Sequence, residues 1–108
     1  MESFYSKENK QLIFKLEEDI DEYAVQKIRR KADYEIERYM PRKVIFDFNS
    51  VTFMDSAGIG LIIGRYRIAN MLGGTVEIAN VTDSIKRVLE LSGLLKIIKI
   101  AKLEEMAV

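Results

Sequence analysis

The chain contains neither cysteine nor histidine. Without cysteine there is no disulfide framework, and without either residue there is no zinc site of the Cys/His kind. Ser-His-Asp and Cys-His nucleophilic chemistry are excluded too. Acid–base work would fall to carboxylates, lysine and tyrosine. No excess of one charge exists: 17 basic residues balance 17 acidic ones. That balance argues against an electrostatic nucleic-acid binder and against a polybasic membrane anchor. No stretch approaches about 18 unbroken apolar residues, so no bilayer-spanning helix is expected. The segment Met1–Lys7 lacks the apolar run of a signal peptide. A cytoplasmic protein without cofactor or metal is the expectation, with neither nucleic acid nor membrane as a partner.

What is present is enough for a core. In 108 residues, 48% apolar and 31% charged, one domain spanning 1–108 is expected rather than two or a disordered chain. Leu12, Phe14 and Leu16 alternate through Gln11–Leu16, which predicts a strand. Phe4 and Tyr5 suit a shorter strand paired with it through a turn at Glu8-Asn9-Lys10. The acidic run from Glu17 to Glu22 reads as the start of a helix, with Asp19 or Asp21 as its cap. Val25, Ile28, Ala32, Ile36 and Tyr39 give that helix one buried stripe, and the only proline, Pro41, closes it.

Val44–Phe48 is a strand apolar on both faces except at Asp47. Ala57–Ala69 is a second helix ended by Gly73-Gly74, and Thr75–Ala79 a further strand. Thr82 or Asp83 caps a third helix that buries Ile85, Val88 and Leu89 and stops at Gly93. Lys96–Ile100 reads as the last strand, and Leu103–Met106 as a terminal helical turn. The order β-β-α-β-α-β-α-β predicts an α/β fold. Its sheet is mixed but mainly parallel, of about five strands with flanking helices, and its crossovers are right-handed. Ligands and partners of such sheets usually meet the carboxyl ends of the strands. Ser56 and the acidic run both follow strands and are expected to share that rim.

Most information is concentrated in Val51–Ile63, where a strand gives way to an apolar helical run with Ser56 at the junction. Free backbone amides and the helix dipole favour an anion at such a place. A phosphate on Ser56 is expected to be solvated by those amides without disturbing the fold. Ser56 is equally suited to be an ordinary helix cap. Gly58, Gly60 and Gly64 suit a close approach of helix to sheet, Gly64 above all. Asp47 suits a polar contact at the rim or a pairing with a lysine, and Arg65 and Arg67 a solvated face or, failing that, contact with an acidic partner. A hydrolase using Ser56 would want Gly-x-Ser-x-Gly and a base, whereas the context is Met54-Asp55-Ser56-Ala57-Gly58 with no histidine, so no enzyme is expected.

Phe53-Met54-Asp55-Ser56-Ala57-Gly58-Ile59-Gly60, followed by Ile63-Gly64-Arg65-Tyr66, resembles the STAS family of anti-sigma factor antagonists. The run from Lys86 to Ile98, with Leu91-Ser92-Gly93-Leu94-Leu95-Lys96-Ile97-Ile98, is similar to the family's closing segment and favours its sporulation branch, the anti-sigma F factor antagonists. The resemblance implies a single STAS domain and a regulator rather than a catalyst. The unphosphorylated antagonist would bind an anti-sigma factor that is also an ATP-dependent serine kinase, freeing the sigma factor. Phosphorylation of the serine after the motif's aspartate, Ser56, would end that binding, and a protein serine phosphatase would reset the cycle. Partner contacts would fall on Asp21, Asp55, Ala57, Gly58, Ile59 and Gly60. The sequence departs from the family at Ala57, where a second serine is common. It departs again at Glu18-Asp19-Ile20-Asp21-Glu22-Tyr23, where Gly-Glu-Leu-Asp-His-His is common and only the aspartate is kept. An antagonist in a general stress cascade, or a stressosome component, is the rival within the family. The tail of an anion transporter would need spanning segments that this sequence lacks. A monomer is expected, because no long apolar helix face is left unassigned.

Overall fold

Alternation along the strands divides the core in two. Leu12 and Phe14, Val44 and Phe46, Val76 and Ile78 point to one side of the sheet, where they are fully buried with Ile28, Ile36, Leu61, Ile62, Ile85 and Leu89 from three helices. Ile13, Ile45 and Ala79 point to the other side and form a smaller cluster with Ala101. Strands buried on both faces explain the unbroken apolar runs in the sequence.

The computed structural model describes residues 1–101. Its elements are β1 (Glu2–Ser6), β2 (Gln11–Lys15), α1 (Glu22–Tyr39), β3 (Lys43–Asp47), α2 (Ser56–Met71), β4 (Thr75–Ala79), α3 (Asp83–Ser92), a 3₁₀ turn (Leu94–Lys96) and β5 (Lys99–Ile100). The strands form one sheet in the order β1-β2-β3-β4-β5. β1 pairs antiparallel with β2, in the register Phe4 to Ile13. The other neighbours are parallel, with Phe14, Phe46 and Ile78 in one row. This is the predicted mixed, mainly parallel α/β sheet. The predicted helical turn Leu103–Met106 lies outside the described residues.

Two predicted boundaries move by more than two residues. The acidic run before Glu22 is not helical, because Ile20 is drawn into a parallel bridge with Met54 and the helix begins only after Asp21. The last strand shrinks to Lys99–Ile100, because Gly93 turns left-handed at φ 81° and Leu94–Lys96 coil into a 3₁₀ turn that buries Leu94. Thr82, not Asp83, caps α3, accepting from Ile85 N–H at 3.2 Å.

Arg65 corrects the expectation of a solvated face. It recurs with Leu61 and Ala69 at four-residue steps, so it lies on the buried stripe of α2 at 6% exposure. Its Nε meets Asp33 Oδ1 of α1 at 2.7 Å. Burial lowers the guanidinium pKa from its ordinary value, and Asp33 opposes that shift. The pair ties α1 to α2 and so fixes how their N-termini sit against each other. Arg67 is exposed, as expected.

Candidate functional site

Both helices begin from one bridge. Ile20 N–H donates to Phe53 C=O at 3.0 Å, and Asp55 N–H donates to Ile20 C=O at 3.2 Å. One residue beyond this bridge on each segment stands an N-cap: Asp21 for α1 and Asp55 for α2. The spacing between paired chains is about 4.8 Å, so the two caps are neighbours. Ser56 and Glu22 follow as the first helical residues, both exposed. The rim at the carboxyl ends of the strands therefore unites Asp21, Asp55 and Ser56, as expected.

Asp19 has a separate task. Its Oδ1 accepts from Thr52 N–H at 2.8 Å and Phe53 N–H at 3.1 Å, and the Thr52 hydroxyl donates to both carboxylate oxygens. The bond from Thr52 N–H leads in holding the Asp19 carboxyl below its usual range; desolvation opposes it, and the bonds from Phe53 N–H and the Thr52 hydroxyl add to the lowering. Asp19 thus clamps the segment before Ser56 to the segment before α1. Asp47 accepts from Asn49 N–H at 3.0 Å and Asn80 Nδ2 at 2.9 Å, a rim contact of the expected kind.

Ser56 is not the cap of α2. Asp55 Oδ1 accepts from Ala57 N–H at 2.9 Å and Gly58 N–H at 3.4 Å. The amides expected to solvate a phosphate on Ser56 are already taken by a carboxylate. Among the described residues the Ser56 hydroxyl has no hydrogen-bond partner.

The glycines sort differently from expectation. Gly58 is buried, and a methyl group there would overlap Met54 Cγ and stand 2.7 Å from its Sδ and 3.0 Å from Ile20 Cγ2. It lets α2 begin directly against the bridge. Gly64, expected to make the close approach, has open space around it, as has Gly60. Gly60 lies one turn beyond Ser56 on the same exposed face. Half-buried Ile59 and Ile63 border that face, so the outer side of α2 is apolar around Gly60.

Tyr23 and Phe53 were not singled out in the sequence, yet both are exposed beside this rim, at 79% and 54%. Their place at a strand–helix junction, each directly after a polar residue, was the available signal. Tyr23, Glu22, Gln26 and Lys27 line a shallow groove, with Lys27 Nζ 5.7 Å from the Tyr23 ring centre. At the opposite pole Ile68, Met71, Leu72 and Glu37 line a second, apolar groove. An apolar helix surface is therefore left over, against the premise on which a monomer was expected. Among the described residues no cluster of carboxylates could hold a metal ion, and no helix is long and apolar enough to cross a membrane.

Comparison with known proteins agrees with this geometry. The profile of the STAS domain family matches residues 5–107. The anti-sigma F factor antagonist of Paenibacillus polymyxa is 34% identical over 89 residues, covering 82% of this chain and 76% of that protein. The anti-sigma-B factor antagonist of Bacillus subtilis is 27% identical over 87 residues, covering 81% and 78%. Among solved structures, the unphosphorylated anti-sigma factor antagonist SpoIIAA superposes with a TM-score of 0.81 at 28% identity, over 96% of this chain and 90% of that one. The phosphorylated form of Bacillus SpoIIAA gives 0.72 at 28% identity, over 96% and 93%. This chain belongs to the STAS domain family.

Proposed function

We propose that the chain is an anti-sigma factor antagonist switched by phosphorylation of Ser56. Unphosphorylated, it binds an anti-sigma factor that is also a serine kinase, and the sigma factor is released. Phosphate on Ser56 ends the binding, and a protein serine phosphatase restores it. The chain works in the cytoplasm as a regulator, with no catalytic residue of its own. One observation carries this reading above the others: Ser56 is exposed at the first turn of α2 while Asp55 does the capping, so its hydroxyl has no internal task.

The contact surface in this reading comprises Asp21, Asp55, Ala57, Ile59 and Gly60, with Gly58 acting from beneath as the close-packing residue. Gly60 supports it independently. A glycine inside a helix costs about 1 kcal/mol relative to alanine. Nothing within the fold requires one at position 60, whereas a partner's kinase site approaching Ser56 does. A phosphate adds about −1.5 to −2 charges to a rim that already holds Asp19, Asp21, Glu22 and Asp55. A hundredfold loss of affinity corresponds to about 2.7 kcal/mol, which repulsion and desolvation at a buried contact can supply.

The test is incubation with Mg-ATP and the anti-sigma F factor of Paenibacillus polymyxa, read by mass spectrometry. One phosphate on Ser56 is expected, with Ser50, Thr52 and Ser84 unmodified. Ser56→Ala should still bind, and Ser56→Asp should fold but bind poorly. Modification elsewhere, or tight binding by Ser56→Asp, would overturn the reading. Antagonism in a general stress cascade is the second reading, supported by the 27% identity to the anti-sigma-B factor antagonist. Preferential binding of an anti-sigma-B factor would select it.

A further inference from the structure

Resting on the reading of Ser56 as the modified residue, we propose that Asp55 fills the seat a phosphate would otherwise take. The phosphate on Ser56 then stands outside helix α2 among carboxylates, with its second proton held more tightly than in free phosphoserine. A helix N-terminus welcomes an anion because its first amides lack partners. Here Ala57 N–H and Gly58 N–H point at Asp55 Oδ1, and Gly58 N–H and Ile59 N–H also reach the Asp55 carbonyl at 3.0 and 3.4 Å. Helix α1 offers only its first two amides, those of Glu22 and Tyr23, since Ala24 N–H donates to Asp21 Oδ1 at 2.8 Å and Val25 N–H to the Asp21 carbonyl at 3.1 Å.

Charge bookkeeping gives the direction. Each helix end contributes about half a positive charge, and each capping aspartate a full negative one, so each capped end is net negative by about half a charge. Glu22 and Asp19 add to this side. On the other side is Lys27, which is drawn to Glu18 at 3.7 Å and lies over the Tyr23 ring. Lys15 alternates onto the opposite sheet face with Ile13, and Asp47 is held by Asn49 and Asn80. A single carboxylate about 6 Å away in water raises a neighbouring acid's pKa by about half a unit. The second pKa of the phosphate, ordinarily about 6, should rise by about that amount.

The experiment places phosphoserine at position 56 during translation of the full chain, so no kinase is needed, and follows its ³¹P resonance through a pH titration. The same protein unfolded in urea supplies the reference. The folded protein should titrate about half a unit or more above the unfolded one. Asp55→Asn, which retains a capping oxygen, should return most of the difference, and Asp21→Asn a smaller part. A folded pKa equal to or below the unfolded one would mean that amides or a cation hold the phosphate, and the proposal falls. An unchanged pKa in Asp55→Asn would equally remove Asp55 from the account. Failure of the kinase to modify Ser56 would sink the functional reading yet leave this titration as it is.

Discussion

Three single alanine substitutions along α2 separate packing from function. At Gly64 the added methyl meets nothing within 4 Å, and the same holds at Gly60. Only the backbone term remains, and replacing glycine in a helix interior gains about 0.5–1 kcal/mol. At Gly58 the same methyl enters the space of Met54 Cγ, comes within 2.7 Å of Met54 Sδ and within 3.0 Å of Ile20 Cγ2. Met54 is 4% exposed and Ile20 fully buried, and their backbones form the bridge from which both helices start. Both side chains can retreat only into an already packed core. Overpacking of this kind costs about 1–3 kcal/mol, which exceeds the helix gain and leaves a net loss of about 1–2 kcal/mol. For a domain of this size the urea m-value is about 1–2 kcal/mol/M. Urea melts followed by circular dichroism should therefore show Gly64→Ala and Gly60→Ala shifted up by about 0.5 M and Gly58→Ala down by about 1 M. Equal stability of Gly58→Ala and Gly64→Ala would refute the close approach. A destabilised Gly64→Ala would refute the open space.

Breaking the half-buried pair by Asp33→Ala strands Arg65 against α1 and should cost about 1–3 kcal/mol, whereas Asp33→Leu combined with Arg65→Met should be near neutral in the same melts. A cost below about 0.5 kcal/mol for the single change would show that the pair holds nothing. Asp19 is depressed in the folded state, so its contribution is complete above the unfolded pKa of about 3.9 and drains as pH falls through the lower folded value. Asp19→Asn should thus flatten the stability profile below about pH 4 and leave its slope above pH 5 unchanged; an acid limb parallel to the parent's would contradict the clamp on Thr52 and Phe53. Met40 ends α1 in the left-handed region at φ 46°, which costs a residue with a side chain about 1–2 kcal/mol, so Met40→Gly should stabilise by about 1 kcal/mol, and no gain would contradict that geometry.

The sheet was readable because burial on one or both faces leaves a direct mark at period two. Phe14, Phe46 and Ile78 declare their strands, and the parallel order follows from the intervening helices. The rim was readable for a related reason: strand ends followed by Asp21 and Asp55 place two capped helices at one edge. The division of labour among the aspartates was not readable. Asp19, Asp21 and Asp55 are equally good caps by residue type. Only the long-range Ile20–Met54 bridge decides that Asp21 and Asp55 cap while Asp19 reaches across to Thr52. Arg65 was misread because charge was weighted above period, although its four-residue spacing from Leu61 and Ala69 placed it on the buried stripe. Gly64 was misread as the closest approach, a role that falls to Gly58, because a missing side chain leaves the same mark whether the reason lies inside the molecule or outside it.

That last ambiguity is also the most useful one. Gly58 has its reason inside, in Met54 and Ile20. Gly60 has none, and it sits one turn from a serine whose hydroxyl also has no internal partner. Two adjacent positions that the fold does not require, on the outer face of a helix bordered by Ile59 and Ile63, are what a surface shaped for another molecule leaves behind. The consequence separates Gly60 from Gly64 in one measurement. If the proposed interface is right, Gly60→Ala should make the chain more stable and bind the anti-sigma factor more weakly, by about tenfold or more, because in that reading the methyl stands where the partner closes over Ser56. Gly64→Ala, a further turn away, should gain the same stability with a smaller loss of binding. If Gly60→Ala gains stability and binds undiminished, the outer face of α2 at that turn is not part of the interface, and Ser56 must be reached from the side of Asp21 and Tyr23 instead.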